Sequence, residues 1–337
     1  MGLTVIVLQA ILLSVVVGIA VAGDTAADLA IITGELNALA AGRRPERHRP
    51  LAVTGDDETG DPALAFNALQ ARTAAADREL EQELELARRV QAELLPRQIA
   101  PAGGWRVTGL SLAAREVGGD FYDVLDLGKS RLGVAIGDAA GKGLPAALLM
   151  AATIGFLRSD ANREDSPGQV LSRINRLLCG AIPAGFFVTL LYLVVDTVSG
   201  NCVFSSAGHI DPLVIGPAGS GPEFLPVASL PLGVDPAACY REQKIALGPG
   251  QKIFLYTDGV VEARDRSCTF FGFAGLAEAV QRLAGEQKGA ELAGSLCREV
   301  CRFSTGREQE DDLTVVIIEA PEGGLTWRRI LREQSNL

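Results

Sequence analysis

The order of the predicted elements indicates an α+β fold in which helices cover antiparallel sheets. The predicted strands are short apolar runs at residues 132–136, 187–196, 201–208, 253–256 and 313–318. The predicted amphipathic helices lie at residues 144–157, 168–178, 273–284 and 290–303. Because the strands arrive in consecutive runs with the helices grouped between them, this order disfavours a doubly wound α/β fold.

Alternation and turn residues justify the strands. Leu132, Val134 and Ile136 alternate with other residues, which is typical of a strand that faces a core on one side. The runs at 187–196 and 201–208 flank a Ser-Gly pair at 199–200, which favours a hairpin turn. These two strands are therefore expected to be adjacent and antiparallel.

An apolar segment precedes the fold. Residues 3–22 carry no charge, and as a helix they would be about 30 Å long, which matches the apolar core of a bilayer. We expect a retained single-pass transmembrane helix. Cleavage as a signal peptide near Ala22 is the alternative, although a basic n-region is missing. The first arginines follow this segment, which predicts a cell-membrane protein whose C-terminal part is cytoplasmic.

Two predicted helices, separated by a connector with two prolines, follow the apolar segment. The second helix is expected to begin near Asp56 and to end before Pro96. The stretches ITGELNALAAG, DETG (57–60) and AFN (65–67) resemble a HAMP linker, a parallel four-helix relay. We therefore expect a HAMP-like linker at residues 23–76 and a coiled-coil regulatory helix at residues 77–96.

A thin apolar stripe follows the second helix and then changes phase. Its members are Leu69, Thr73, Ala76 and Leu80, then Leu84, Ala87, Gln91 and Leu94. A helix with such a stripe needs a partner chain, so a homodimer is implied. The phase change alters coiled-coil winding, which favours a helix that transmits rotation. A solvated spacer, or a plain connector, is the alternative.

Composition excludes some classes of function. The formal net charge of −10 argues against nucleic acid as a partner, because phosphate backbones attract basic surfaces. The six cysteines form no C-x-x-C pair and lie in apolar stretches, so we expect reduced core residues instead of zinc ligands or disulfides. They are Cys179, Cys202, Cys239, Cys268, Cys297 and Cys301.

Aspartates stand beside glycine, or at the edge of a strand, at four places. They are Asp120, Asp138, Asp258 and the pair Asp311 and Asp312. Carboxylates suit hard divalent cations, and these places contain no histidine or cysteine, so magnesium or manganese is expected instead of zinc. One aspartate from each place could share two ions, an arrangement used for hydrolysis at phosphorus. A single Asp-Gly pair is more often a turn or a helix cap.

The four places together resemble the SpoIIE-like metal-dependent phosphatases of the type 2C superfamily. The motifs are AREVGGDFYD, GDAAGKGLPAALLM, SSAGH, PLG, YTDGVVEAR and EDDLTVVII, after a lead-in ARRVQAELLP. The resemblance covers residues 85–320. It implies an antiparallel β-sandwich flanked by helices (αββα) at residues 97–320, followed by a C-terminal tail at residues 321–337.

The resemblance also implies a catalytic centre with two Mn²⁺ or Mg²⁺ ions. The implied ligands are Asp120, Asp138, the Ala139 backbone carbonyl, Asp258 and Asp311, with Asp312 as the alternative to Asp311. We favour Asp311 as the ligand and Asp312 as the residue that orients the site. Arg115 is a candidate for binding the substrate phosphate, because a guanidinium group can hold phosphate bidentately. A surface arginine is the alternative.

Other functions fit the motifs less well. The string GDAAGKG lacks the P-loop spacing, and glycine follows its lysine where serine or threonine is required. The helix at residues 66–95 contains no histidine that a kinase could phosphorylate. His209 is expected to form structural hydrogen bonds at a turn and not to act as a base.

These observations predict a protein serine/threonine phosphatase that uses a metal-activated water. The resemblance implies a phosphorylated anti-anti-sigma factor-like (STAS-like) substrate in a partner-switching pathway. The alternative is a catalytically silent module of the same fold that binds and sequesters a signalling partner. Because aspartate occupies all four places, we favour the enzyme.

Overall fold

The computed structural model describes residues 12–15, 30, 33–34, 37, 60–96, 102–161, 163, 166–216, 221–307 and 309–323. Most of the predicted transmembrane segment at 3–22 lies outside these residues, as do much of the HAMP-like segment at 23–76 and most of the tail at 321–337. Across the described ranges, no helix is both long and apolar enough to cross a membrane. The chain divides into two compact units, Met1–Glu83 and Leu84–Leu337.

A long helix, α1 (Gly60–Leu94), begins in the first unit and ends in the second. In the first unit it buries Phe66, Gln70 and Ala74, which are spaced four residues apart and share one face. The predicted stripe lies on a different face, where Leu69 and Leu80 are 50% and 52% exposed.

The second half of the stripe has different surroundings. Leu84, Ala87, Gln91 and Leu94 are half-buried, and the Gln91 side chain bonds to the backbone of Gly118 inside the second unit. The phase change therefore divides the stripe into two halves. The first half is exposed in the single chain, and the second half packs on the second unit of the same chain.

The second unit contains two five-stranded sheets within the described residues, and every pairing is antiparallel. The strands are β1 Arg106–Leu112, β2 Asp120–Asp126, β3 Arg131–Ala139, β4 Val188–Asp196, β5 Asn201–Ala207, β6 Leu213–Ile215, β7 Glu223–Phe224, β8 Glu242–Ala246, β9 Lys252–Tyr256 and β10 Leu313–Glu319. The first sheet has the order β1-β10-β9-β6-β7, and the second has the order β2-β3-β4-β5-β8.

Helices cover the outer face of each sheet. They are α2 Leu144–Asp160, α3 Pro167–Ala181, α4 Asp258–Val261, α5 Gly272–Leu283 and α6 Gly289–Phe303. The helices α2 and α3 pack on the second sheet, and α5 and α6 pack on the first. The predicted αββα sandwich is therefore confirmed.

Three apolar layers hold the sandwich together. Alternation along β3 decides which layer each residue joins: Val134 and Ile136 lie between the two sheets, whereas Ala135 and Ala139 face the helices. Strand β3 is thus buried on both faces, as is expected of a strand in a sandwich whose outer face carries helices. The predicted hairpin is present, because β4 and β5 pair antiparallel on either side of Gly200.

The expectation for the cysteines was partly wrong. All six are free thiols, and Cys202 and Cys297 are buried as predicted. Cys239, Cys268 and Cys301 are instead exposed. Cys301 lies four residues after Cys297 on α6, but it falls in the last turn of the helix, where less of the fold covers it.

Candidate active site

The strand pairing brings aspartates to one end of each sheet. Asp120 is the first residue of β2 and lies directly opposite Asp138 of β3. In the other sheet, Asp258 comes two residues after the end of β9, and Asp311 and Asp312 immediately precede β10, the antiparallel neighbour of β9. In an antiparallel pair the end of one strand lies beside the start of the next, so distant segments of the sequence meet there.

Thr257 connects the two sheets at this end. Its hydroxyl donates a hydrogen bond to Asp120 Oδ2 at 2.6 Å and accepts one from the backbone N–H of Thr314 at 3.1 Å. Thr257 and Thr314 are fully buried. Asp120 of the second sheet is therefore tied to Thr257, the residue between β9 of the first sheet and Asp258 at the start of α4. Sequence reasoning did not single out Thr257, although a hydroxyl directly before Asp258 was a visible signal.

Asp312 is buried and serves as an acceptor for the backbone. Its Oδ1 accepts from the N–H of Ala114 at 2.8 Å, and its Oδ2 accepts from the N–H of Gly119 at 3.0 Å. Gly118 lies so close to this carboxylate that any Cβ would overlap it. Asp312 thereby positions the segment that leads into Asp120.

Asp311 differs from its neighbour, because its side chain is 57% exposed. Lys142 Nζ lies 3.7 Å from Asp311 Oδ2 and donates to the backbone carbonyl of Glu310 at 2.7 Å. Sequence reasoning used Lys142 only to reject a P-loop. Its place four residues after Asp138, between two glycines, was the available signal for a role at the site.

The aspartates repel one another electrostatically. Burial raises the pKa of Asp138 to about 7, with further increases from the negative charges of Asp258, Asp311 and Asp312. Burial, followed by the charge of Asp138, raises the pKa of Asp120 well above its usual value. Burial and the charge of Asp311 raise the pKa of Asp258. Each carboxylate thus disfavours ionisation of its neighbours. A bound cation would favour the ionised forms and so stabilise the cluster.

The donor types at this cluster fit a hard divalent cation. The absence of a side chain at Gly119 leaves space beside the aspartate cluster. A Cβ at this position would stand 2.5 Å from the Ala139 carbonyl oxygen and 2.8 Å from Asp138 Oδ1, which is too close for either atom. Nevertheless, among the described residues no group of three or more acidic, histidine or cysteine side chains is arranged so that it could hold a metal ion. The assignment of Asp120, Asp138, Ala139, Asp258 and Asp311 as ligands stays a prediction.

A cleft of about 180 Å³, which we call the aspartate cleft, opens at this cluster. Its lining includes Arg115, Asp138, Lys142, Asp311 and Asp312. Arg115 is exposed, so its guanidinium group can approach a ligand from solvent. The structure thus places the predicted phosphate-binding residue at the cleft without assigning it a ligand.

His209 is buried and hydrogen-bonded on both ring nitrogens, as predicted for a structural histidine. Nδ1 lies 2.9 Å from the Thr189 hydroxyl, and Nε2 lies 3.1 Å from the Tyr256 carbonyl oxygen. Burial lowers the pKa of His209 to about 4, so the ring is neutral at pH 7. With both nitrogens engaged, it is unsuited to act as a base.

Comparison with known proteins identifies the family. The sequence model of the family Stage II sporulation protein E (SpoIIE) matches residues 128–321, which is more than half of the chain. The phosphoserine phosphatase RsbU of Bacillus subtilis (strain 168) is 29% identical over 186 residues, which is 55% of this chain and 55% of RsbU. The chain therefore spans about half the length of this curated relative.

Solved structures share the fold. The SiaA-PP2C domain of Pseudomonas aeruginosa has a TM-score of 0.65 and 22% identity, over 73% of this chain and 99% of that one. A Mycobacterium tuberculosis structure with RsbU and RsbW domains has a TM-score of 0.57 and 25% identity, over 72% of this chain and 70% of that one. The chain belongs to the SpoIIE family, and it shares its fold with the SiaA-PP2C domain.

Proposed function

We propose that this chain hydrolyses phosphoserine or phosphothreonine on a protein, with two Mn²⁺ or Mg²⁺ ions. The observation that carries the proposal is the meeting of five mutually repelling aspartates from both sheets at one end of the sandwich. The similarity to RsbU, which is named a phosphoserine phosphatase, supports the same class of reaction here.

In this proposal the metal ligands are Asp120, Asp138, Asp258, Asp311 and the Ala139 carbonyl. Bound ions would place positive charge against the phosphoryl oxygens and acidify a water, so no covalent enzyme intermediate is needed. The protein's own part is orientation. Thr257 holds Asp120 by a hydrogen bond, and Asp312 holds the backbone of the segment before it. Arg115, at the aspartate cleft, would bind the substrate phosphate.

The proposed substrate is a phosphorylated anti-anti-sigma factor-like protein with a STAS-like domain, in a partner-switching pathway. The likeness to RsbU and to a chain that joins RsbU and RsbW domains supports this class of pathway. The acidic net charge of −10 is consistent with a protein substrate and disfavours nucleic acid as a partner.

The proposal also includes a homodimer and a membrane location. The exposed stripe of Leu69, Thr73, Ala76 and Leu80 on α1 offers an apolar face to a second copy. The uncharged segment at residues 3–22 would anchor the chain in the cell membrane, with the phosphatase domain in the cytoplasm. Fractionation of cells that express the full chain tests this location, and recovery in the soluble fraction would contradict it.

Phosphate release by the full-length chain from a phosphoserine peptide tests the reaction. We expect release with Mn²⁺ and none with excess chelator. Asp138→Asn and Asp258→Asn should each lower the rate at least a hundredfold, since each removes a ligand charge while keeping side-chain size. Asp126→Asn is the matched control, because Asp126 is an exposed residue at the far end of β2. Full activity of the wild type in chelator, or of either ligand variant with Mn²⁺, would refute the two-metal proposal.

The alternative, a silent module that sequesters a partner, is not favoured, because the relative RsbU is named a phosphoserine phosphatase. It predicts peptide binding without phosphate release at any Mn²⁺ concentration. The same assay separates the two functions.

A further inference from the structure

A second, larger cleft adjoins the aspartate cleft. Its volume is about 310 Å³, and we call it the side cleft. Both clefts are lined by Lys142, Glu310 and Asp311, so the two clefts are adjacent at these residues. The side cleft therefore lies next to the proposed metal centre, because the proposed ligand Asp311 lines both clefts.

The floor of the side cleft is apolar and belongs to the core. It includes Val300 of α6 and Leu313 of β10, which are buried, and Ala263, which is half-buried. Cys301, in the last turn of α6, is exposed on the wall. A volume of about 310 Å³ lies at the small end of the range for ligand sites, about 300 to 1,000 Å³, which leaves room for one or two side chains.

Three of the charged residues at the rim, Arg264, Arg307 and Glu310, make contacts with neighbouring side chains. Arg307 forms an ion pair with Glu310 at 2.7 Å and donates to the carbonyl of Asp265 at 3.3 Å. Arg264 stacks on the ring of Phe270, with its guanidinium carbon 4.5 Å from the ring centroid. These contacts engage Arg264, Arg307 and Glu310, and the apolar floor is the surface that a side chain of a ligand would cover.

We propose that the side cleft is a specificity subsite that holds an apolar side chain of the substrate peptide next to the phosphorylated residue. This inference rests on the proposed phosphatase function. An apolar occupant fits because the floor is apolar and because Arg307 and Glu310 at the rim already pair with each other. Because Asp311 lines both clefts, the occupant would lie within a few residues of the phosphoserine.

The test uses the full-length chain with Mn²⁺ and two phosphoserine peptides. One peptide carries leucine at the three positions on either side of the phosphoserine, and the other carries glycine there. Burial of one leucine side chain is enough for a preference of about tenfold in kcat/KM for the leucine peptide. Cys301→Trp and Ala263→Phe fill the side cleft, so each should reduce this ratio to about one.

Cys239→Trp is the matched control, since Cys239 is an exposed cysteine that does not line the side cleft. It should keep the tenfold preference. A wild-type ratio near one, or an unchanged ratio in both filled variants, would overturn the subsite. If the wild type releases phosphate from neither peptide, the phosphatase proposal fails. In that case the dissociation constants of the two peptides, measured by fluorescence anisotropy, test the subsite. Tighter binding of the leucine peptide would support the subsite, and equal constants would overturn it.

Discussion

At the residue scale, Asp311 and Asp312 are neighbours in sequence but differ in their surroundings. The carboxylate of Asp312 is buried and accepts backbone N–H groups, whereas the side chain of Asp311 is mostly exposed. Asp312→Ala leaves those donors without a partner, so we expect the free energy of unfolding to fall by about 2–4 kcal/mol. Urea unfolding of the variant measures this loss.

Asp311→Ala provides the contrast. An exposed side chain contributes little to stability, so its free energy of unfolding should stay within about 0.5 kcal/mol of the wild type. Its Mn²⁺ affinity, measured by calorimetry, should fall at least tenfold if Asp311 is the ligand. Loss of stability in Asp311→Ala together with normal Mn²⁺ binding would reverse the two proposed roles.

His209 supports a prediction about pH. Burial lowers its pKa to about 4 in the folded protein, against 6.5 for the free side chain. Between those pH values the unfolded chain binds a proton that the folded chain excludes. The stability from neutral His209 is therefore complete above pH 6.5 and is lost as pH falls towards 4, by up to about 3 kcal/mol.

Urea unfolding at pH 7, 6 and 5 tests this prediction. The wild type should lose stability across the series, and His209→Asn should lose less, because asparagine does not titrate. Parallel pH dependence of the two proteins would show that His209 does not carry the effect.

At the element scale, the end of α1 makes two contacts within the second unit that bear on the predicted role of α1 as a relay. The Gln91 side chain donates to the Gly118 carbonyl at 2.7 Å and accepts from the Gly118 N–H at 3.2 Å. Arg158 of α2 donates to the Leu94 carbonyl at 2.6 Å and forms an ion pair with buried Asp123 of β2 at 2.7 Å. The end of α1 is thus attached to the segment before Asp120 and to strand β2.

Insertions between Leu80 and Leu84 test the relay. One added residue turns the exposed stripe by about 100° relative to the attached end, whereas seven residues nearly restore the heptad register. We expect the one-residue insertion to change phosphate release severalfold at matched Mn²⁺, and the seven-residue insertion to change it much less. In a Gln91→Ala background the difference should shrink, since that contact is lost. Equal rates in all these proteins would mean that α1 is only a tether.

At the scale of the whole molecule, the exposed stripe on α1 predicts a dimer. Leu69 and Leu80 are half exposed in the single chain. Packing against a second copy would remove their apolar surface from water, which favours association. Replacing both with glutamate should shift the full-length chain from dimer to monomer in sedimentation experiments. Glutamate at Ala71 and Gln82, which are exposed on α1 outside the stripe, is the control. A monomeric wild type would contradict the prediction.

Strands β3, β4, β5, β9 and β10, helices α2, α3, α5 and α6, and the β4–β5 hairpin could be predicted from patterns in the amino-acid sequence, and the family resemblance implied the αββα class. Periodicity and turn residues depend on neighbours along the chain, and these signals are strong at β3, β4 and β5. Five strands were not among the predicted ones: β1, β2, β6, β7 and β8. β6, β7 and β8 have only two to five residues, which carry too little pattern. β1 and β2 have seven residues each, and both are edge strands of their sheets. The positions of the four aspartate sites were equally visible, since each stands beside glycine or a strand end.

Tertiary structure alone decided what each of these residues touches. Asp312 accepts a hydrogen bond from the N–H of Gly119, which is 193 residues away in the sequence. Thr257 donates a hydrogen bond to Asp120, which is 137 residues away in the sequence. Local sequence cannot distinguish Asp311 from Asp312, because the distinction arises from packing one sheet on the other. The second half of the stripe on α1 is a similar case. Its shifted phase was visible in sequence, but only the contact of Gln91 with Gly118 shows that it packs on the chain's own fold.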